Sequence, residues 1–129
     1  MKVKRGLLYT ASHERVDFMP AGTARVGIYD FVPQKRGKIS FLTLCDEGEY
    51  YQSGEVIGDA EAFKGVWDIS APISGTVLRI NDDLLDYPQS INSDPYGSWL
   101  AEFGDAERGA KLMTAQEYCK YLGKDAEMK

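Results

Sequence analysis

The stretch GDAEAFKGVWDISAPISGTV, residues 58–77, places a lysine between two runs of strand-forming residues. Val56-Ile57 precede Lys64 and Val66-Trp67-Asp68-Ile69 follow it, with small or turn-prone residues between. Gly65 can adopt a positive φ, so a tight hairpin turn can close beside the lysine. The pattern predicts a β-hairpin with Lys64 at its tip.

The strand after the lysine alternates between two faces, because successive strand side chains point in opposite directions. One face carries Trp67, Ile69 and Ala71, and the other carries Val66, Asp68 and Ser70. A half-buried strand thus leads out to an exposed lysine. Such a lysine is accessible to a modifying enzyme and can hold a covalently attached arm. The structural alternative is a solvated surface charge in a turn.

The bulk properties indicate one compact domain, residues 1–129, with a core over about residues 6–122. The hydrophobic fraction of 43% and charged fraction of 27% are ordinary for a globular protein. The net charge of −5 argues against nucleic acid as a partner, since that binding needs clustered Lys and Arg. The densest basic cluster, Lys2-Val3-Lys4-Arg5, is expected to be a frayed terminus.

The sequence indicates no membrane partner and no secretory signal. No apolar stretch approaches the roughly eighteen residues of a membrane span, and GLLY is too short for a signal segment. Cys45 and Cys119 lie far apart with no C-x-x-C motif, and His13 is the one histidine, so a zinc site is not expected. We therefore expect a cytoplasmic location with two reduced thiols.

Short strands dominate the first hundred residues, separated by Gly, Pro, Asn and Asp. The predicted strands are 7–10, 15–19, 24–28, 38–44, one within 47–58, 65–70, 75–81 and 98–103. Short helical segments are predicted at 29–36 and 84–91. Thr114 and Glu117 have the spacing of a capping box, and Gly123 follows as a C-terminal cap, which predicts a terminal helix with Tyr118, Cys119 and Leu122 on one face.

No motif of a known catalytic class is present. The sequence lacks G-x-S-x-G, a P-loop and G-x-G-x-x-G, and its carboxylates show no paired spacing. His13 and Glu14 are neighbours, so on a strand they point to opposite faces and make no acid–base pair. We interpret His13 as a turn or surface histidine. The chain is predicted to have no catalytic activity of its own.

The lysine segment EAFKGVWDISAPISGTV (61–77) resembles the lipoyl-lysine segment of the glycine cleavage system H-protein family. In that family E-x-x-K is followed by an A-P-[VI]-S-G-x-V run. The positions in register are Glu61, Lys64, Asp68, Ala71, Pro72, Ser74, Gly75 and Val77. Four further segments also resemble the family: LLYTASHERV (7–16), ARVGIYDFVPQKRGKISFLTL (24–44), INDDLLDYPQSINSDPYGSWL (80–100) and LMTAQEYCKYL (112–122).

The resemblance implies a mostly β fold, the lipoyl/biotinyl-like barrel-sandwich hybrid of two antiparallel sheets with short helices, one of them C-terminal. It also implies lipoate joined to Lys64 by an amide bond through a lipoate ligase or lipoyltransferase. Glu61, Phe63 and Gly65 are then expected to help that enzyme recognise the hairpin tip. Biotin is the nearest competitor, but biotin-accepting tips usually have Met on both sides of the lysine.

In the glycine cleavage interpretation, the arm carries an aminomethyl group from glycine decarboxylase to aminomethyltransferase, and dihydrolipoamide dehydrogenase reoxidises the dithiol. The family protects its loaded arm in a polar cleft. The matching positions here are Ser12, Glu14 and Asp68, where a carboxylate would hold the cationic amine by a charge-assisted hydrogen bond. The structural alternative is that these are solvated strand residues. The resemblance also implies a monomer.

Two departures from the family leave other functions open. Arg15 replaces the family's Trp, and Lys35 stands where a cleft His is frequent and would repel an ammonium group. One alternative is an H-like lipoate-binding protein that serves heterodisulfide-reductase-like enzymes of sulfur oxidation, or a lipoate relay. Another is an unmodified protein-interaction domain, and an enzyme of unrecognised type is a third.

Overall fold

Two antiparallel sheets pack around a shared core in the computed structural model, which describes residues 2–29, 37–109, 111–123 and 126–128. The strands are β1 Lys2–Val3, β2 Leu8–Tyr9, β3 Glu14–Met19, β4 Thr23–Ile28, β5 Ile39–Leu44, β6 Tyr50–Tyr51, β7 Val56–Ala62, β8 Gly65–Ser70, β9 Ile73–Ile80, β10 Trp99–Arg108 and β11 Glu127–Met128. Within these residues, the larger sheet has the order β2-β3-β4-β10-β9-β6 and the smaller has β5-β7-β8.

The helices are short and lie outside the sheets. They are a 3₁₀ turn at Pro20–Gly22, α1 Asp82–Asp86, α2 Ser90–Ser93 and α3 Ala115–Leu122. The predicted helix at 84–91 is two separate helices, and Pro88 lies between them. Of the predicted helix at 29–36, residues 30–36 lie outside the described residues. None of the described helices is long and apolar enough to cross a membrane.

The core between the sheets is formed by alternate strand side chains. Its buried members include Val16, Val26, Ile39, Ile57, Ile69, Ile73, Leu100 and Phe103. Close packing of β5 on β7 requires glycine at position 58, because an added Cβ would lie 2.1 Å from the carbonyl oxygen of Thr43. The last long strand runs beyond its predicted end at residue 103, since Glu107 and Arg108 still pair with Ser74 and Ile73.

A second core, rich in tyrosine, holds the two chain ends. Tyr118 on α3 stacks on Tyr9, with ring centroids 4.6 Å apart, and Tyr29 meets both rings edge-on. Val3 is fully buried in this core, and β1 pairs in parallel with β11. The expectation of a frayed basic terminus was therefore wrong. The apolar side chain inside the basic cluster packs in this core, while Lys2 forms an ion pair with Glu127.

The C-terminal helix α3 begins and ends as predicted. The Thr114 hydroxyl accepts from the Glu117 N–H at 3.2 Å, and the Glu117 carboxylate accepts from the Thr114 N–H at 2.9 Å. Gly123 caps the other end with a φ of +92°. The buried face carries Tyr118, with Cys119 and Leu122 packed at its edge. The prediction of a mostly β fold with two antiparallel sheets and a C-terminal helix is confirmed.

Candidate functional site

Lys64 lies at the tip of the hairpin that joins β7 to β8. Ala62 pairs with Gly65, which leaves Phe63 and Lys64 as a two-residue loop, and Gly65 has a φ of +137°. The Lys64 side chain is exposed, and that of Phe63 is 99% exposed. The predicted hairpin is therefore present. Its tip projects away from both sheets' shared core.

The predicted alternation along β8 is also observed. Ile69 is buried and Trp67 packs against the core, whereas Val66 and Asp68 are exposed on the opposite face. Ser70 ends this outer face and borders a cleft. The outer face of β8 therefore connects the lysine tip with that cleft.

The cleft has a volume of about 580 Å³ and is formed by segments that are distant in sequence. The turn before β3 supplies one wall, the β8–β9 connection supplies another, and the segments before β7 and α3 complete it. Its lining residues are Thr10, Ala11, Ser12, Glu14, Ser53, Gly54, Ser70, Ala71, Pro72, Lys111 and Leu112. Ser12 and Glu14 are thus found together on the cleft wall, where the sequence predicted them.

Glu14 is a buried carboxylate in this cleft, with only 3% of its surface exposed. Its Oε1 accepts hydrogen bonds from the hydroxyls of Thr10 and Ser12, each at 2.6 Å. Its Oε2 lies 3.4 Å from the Ser70 N–H, at the limit of hydrogen bonding. No basic side chain in the described part of the chain forms an ion pair with it. A buried carboxylate that forms no ion pair with the described residues is costly, and it favours a cation beside it in the cleft.

Asp68 and Glu61, two further predicted site residues, are not among the residues that line the cleft. Asp68 is exposed midway along the outer face of β8, directly opposite Asp59 on β7. Glu61 is exposed on β7, two residues nearer the tip than Asp59. Lys35 lies outside the described residues. In the described ranges, no group of three or more His, Cys, Asp or Glu side chains is placed to hold a metal ion.

Comparison with known proteins identifies the family. The model of the family described as Glycine cleavage H-protein matches residues 7–125. The chain belongs to the glycine cleavage H-protein family. This confirms the resemblance drawn from the sequence.

Individual H proteins match the chain over nearly its full length. A probable glycine cleavage system H protein of Pyrococcus abyssi is 39% identical, covering 94% of this chain and 92% of that protein. The H protein of Lachnoclostridium phytofermentans is 38% identical over 98% of this chain and 100% of its own. The crystal structure of the Mycobacterium marinum H protein superposes with a TM-score of 0.86 at 36% identity, covering 92% and 98% of the two chains.

These similarities confirm the barrel-sandwich fold class. They favour a carrier role in glycine cleavage over the sulfur-oxidation and interaction-domain alternatives.

Arg15 lies on β3, next in sequence to the cleft carboxylate of Glu14. Its side chain is buried and donates to the carbonyls of Pro95 and Tyr96, each at 2.9 Å. The guanidinium also lies 5.5 Å from the centre of the Tyr96 ring, and burial lowers the pKa of Arg15. The Arg15 side chain therefore packs against the Pro95–Tyr96 segment and does not line the cleft.

His13 is a turn residue, as predicted, but it is not on the surface. It is buried, its φ is +73°, and its Nδ1 lies 2.6 Å from the Tyr118 hydroxyl. Of the two settings predicted for His13, the turn is observed and the surface position is not, because α3 covers this turn.

Thr10, Ser53, Lys111 and Leu112 also line the cleft and were not predicted from the sequence. The sequence could have indicated Thr10, because a threonine a few residues ahead of a candidate carboxylate can hydrogen-bond to it. The other three carry no such signal, because tertiary packing alone brings them to the cleft.

Proposed function

We propose that this chain is the lipoyl carrier protein of a glycine cleavage system, with lipoate attached to Lys64. The single observation that carries the proposal is the Glu14 carboxylate. It is buried in a cleft, lacks an ion-pair partner in the described ranges, and is connected to the Lys64 hairpin by the outer face of β8. A cationic cargo amine would supply a counter-charge within hydrogen-bonding distance of this carboxylate.

The residues present fit a lipoyl-lysine arm. Lys64 is exposed on a rigid two-residue loop, where an attaching enzyme can reach it. Ala11, Ala71, Pro72 and Leu112 give the cleft apolar walls that suit an aliphatic chain. When attached, lipoate supplies a dithiolane whose sulfur atoms can be reduced and can hold a cargo.

Attachment requires Lys64 to act as a nucleophile. Its deprotonated Nζ attacks the carbonyl carbon of activated lipoate, forming the amide C–N bond as the bond to the activating group breaks and one Nζ proton is released. We propose that a lipoate ligase or lipoyltransferase catalyses this step and contacts Glu61, Phe63 and Gly65. The exposed Phe63 ring and the Glu61 carboxylate on β7 support a role in recognition.

In the loaded state, Glu14 and Ser12 hold the cargo inside the cleft. Oε2 of Glu14 is available to accept a short, charge-assisted hydrogen bond from an ammonium group, because both nearby hydroxyls donate to Oε1. Asp68 lies on the route between the tip and the cleft and attracts the same cation on its way.

The proposed partners are glycine decarboxylase, aminomethyltransferase and dihydrolipoamide dehydrogenase, and the carrier has no catalytic step of its own. We further propose that it acts as a cytoplasmic monomer. Cys45 and Cys119 are both free thiols, which fits the cytoplasmic location predicted from the sequence.

The first experiment is intact-mass spectrometry after incubation with a lipoate ligase, lipoate and ATP. A lipoyl mass gain is expected in the wild-type chain and not in Lys64→Arg. Modification at another lysine, or no gain, would contradict the proposal.

The second experiment tests the cleft. Lipoylated wild-type, Glu14→Gln and Glu107→Gln chains are loaded with glycine decarboxylase and glycine, and cargo loss is followed by mass. Glu14→Gln is expected to lose its cargo about tenfold faster. Glu107 is exposed on β10, so its variant should match the wild type. Equal rates for all three would exclude Glu14 as the cargo ligand.

A further inference from the structure

We infer that the outer face of the small sheet, defined by Phe41, Val66, Asp59 and Asp68 around Lys64, is the docking surface for the enzyme that attaches lipoate. This inference rests on the proposed function. It extends the recognition site from the hairpin tip to the outer face of β5, β7 and β8. We call this surface the tip-side face.

Strand register places the members of the tip-side face next to one another. Phe41 on β5 pairs with Glu61 on β7, and Glu61 pairs with Val66 on β8. Directly paired residues of an antiparallel sheet project from the same face, so these three side chains form one row across the sheet. The next row is Thr43, Asp59 and Asp68.

The opposite face of the same sheet is already covered. Leu42, Ala60 and Trp67 occupy one row in that register, and all three pack against the main core. Packing of the sheet on its core therefore leaves the tip-side face without a partner in the described part of the chain.

The apolar side chains of this face are largely exposed to solvent. Phe41 is 67% exposed and Val66 is 63% exposed, and Phe63 extends the apolar surface beyond the end of the sheet. Exposed large apolar side chains grouped next to a reactive group mark an interaction site more often than scattered ones do. A partner that covers Phe63 and Val66 lies next to Lys64, because both residues are within two positions of it in the hairpin.

The polar members of the face define the charge of that partner. Asp59 and Asp68 are direct cross-strand neighbours, an arrangement of like charges that destabilises a sheet. Neither carboxylate forms an ion pair within the described ranges. Together with Glu61, which lies between Phe41 and Val66 in the neighbouring row, they give the face three negative charges. A partner surface with a complementary apolar patch and a basic rim would relieve this repulsion.

The attaching enzyme is the partner that must lie directly on this face. It acts on Lys64 Nζ before any arm exists, so its active site must come within bonding distance of the side chain. Enzymes that act on the completed arm reach it at its far end, so their docking surfaces can lie elsewhere on the carrier. Phe41 and Val66 therefore belong to the attachment step.

The test measures binding and lipoylation of the unmodified full-length chain by a purified lipoate ligase. The variants are Phe41→Ser/Val66→Ser and, as a single charge reversal, Asp59→Lys. Tyr50→Ser is the matched control, because Tyr50 is an exposed aromatic residue on the larger sheet. Binding is followed by biolayer interferometry without ATP, and acylation of Lys64 by a small reagent reports the reactivity of the hairpin.

We expect the double variant and Asp59→Lys each to weaken ligase binding about tenfold and to raise KM similarly, with kcat unchanged. Tyr50→Ser should bind as the wild type does, and reagent acylation of Lys64 should be equal in all chains. If the double variant unfolds, Asp59→Lys decides the outcome. Asp59→Asn should also flatten the dependence of binding on ionic strength.

Three outcomes would overturn the inference. One is unchanged ligase binding and kinetics in folded variants while the wild type is fully lipoylated, which leaves the proposed function intact. Another is impaired loading by glycine decarboxylase alone, which assigns the face to that enzyme. A concentration-dependent dimer lost in the double variant would assign it to a second copy of the chain. Absence of lipoylation in the wild type would instead refute the proposed function together with this inference.

Discussion

Thr10 and Glu14 hold each other through reciprocal hydrogen bonds across the turn before β3. The Thr10 hydroxyl donates to Glu14 Oε1 at 2.6 Å and accepts from the Glu14 N–H at 3.1 Å. The Ser12 hydroxyl donates to the same oxygen at 2.6 Å. Both hydroxyls therefore converge on one side of the carboxylate. The orientation of Glu14 in the cleft is set by the turn itself.

Replacing Thr10 with Val removes the charge-assisted hydrogen bond to the buried Glu14 carboxylate and also the hydrogen bond that its hydroxyl accepts from the Glu14 N–H. We expect Thr10→Val to lower the free energy of unfolding by about 1.5–3 kcal/mol, and Thr10→Ser to restore most of it. Urea denaturation measures both values. Thr23→Val is the control, because the exposed Thr23 hydroxyl donates only to the Pro20 carbonyl. A Thr10→Val loss no larger than that of the control would contradict the role assigned to these hydrogen bonds.

The bond between Tyr118 and His13 attaches α3 to the cleft turn. Tyr118→Phe keeps the ring stacked on Tyr9 but removes the hydroxyl that lies 2.6 Å from His13 Nδ1. We expect a loss of about 1–3 kcal/mol in unfolding free energy, measured by urea denaturation. In Tyr121→Phe, the lost hydroxyl is exposed and 3.3 Å from the Ala11 carbonyl, so the loss should be much smaller. Equal losses would show that the buried bond contributes nothing.

Glu102 should make stability depend on acid pH. Arg79 donates to its carboxylate at 2.6 Å and, with Arg25, lowers the pKa of Glu102 below its ordinary value of 4.5. The unfolded chain then binds the proton more tightly, so the stabilisation is complete above about pH 4.5 and is lost as pH falls through the folded-state pKa.

The matched variant is Glu102→Gln, at a side chain that is only 14% exposed. We expect it to be less stable than the wild type by about 1 kcal/mol at neutral pH. That difference should disappear at strongly acid pH, as measured by urea denaturation across a pH series. A difference that stays constant with pH would rule out the carboxylate charge as its cause.

Gly58 should not tolerate a side chain. An alanine Cβ there would lie 2.1 Å from the Thr43 carbonyl oxygen, so β5 and β7 would have to separate. We expect Gly58→Ala to cost about 1–3 kcal/mol in unfolding free energy, measured by thermal or urea denaturation. Gly104→Ala is the comparison, because the three atoms nearest to its added methyl belong to the Leu78 side chain, whereas the three nearest at Gly58 are backbone atoms. Similar melting temperatures for the two variants would disprove the steric argument.

Local patterns in the sequence were enough to predict the hairpin and α3. The two-residue loop followed from Gly65 and the flanking alternation, and the cap followed from the spacing of Thr114 and Glu117. Both features depend on interactions between residues a few positions apart. Glu14 and Ser12 were placed on the cleft through the family resemblance, since spacing alone left solvated strand residues as an alternative.

The features that the sequence did not predict share one physical cause, which is contact between residues far apart in the sequence. His13 is buried because Tyr118, 105 residues later, packs on it. Val3 is ordered because β1 pairs with β11 at the far end of the chain. Lys111 and Leu112 reach the cleft in the same way. Alternation within one segment carries no information about which distant segment will cover it.

The two-residue loop at Lys64 also fixes how far a prosthetic arm can travel. Because Ala62 and Gly65 are paired, the loop backbone cannot extend. The maximum reach of the arm is therefore set by the lysyl side chain and its attachment. Partners that dock within that radius meet the arm at a high effective concentration, and partners beyond it meet none. Lengthening the loop by flexible residues would therefore widen the radius and dilute every encounter inside it.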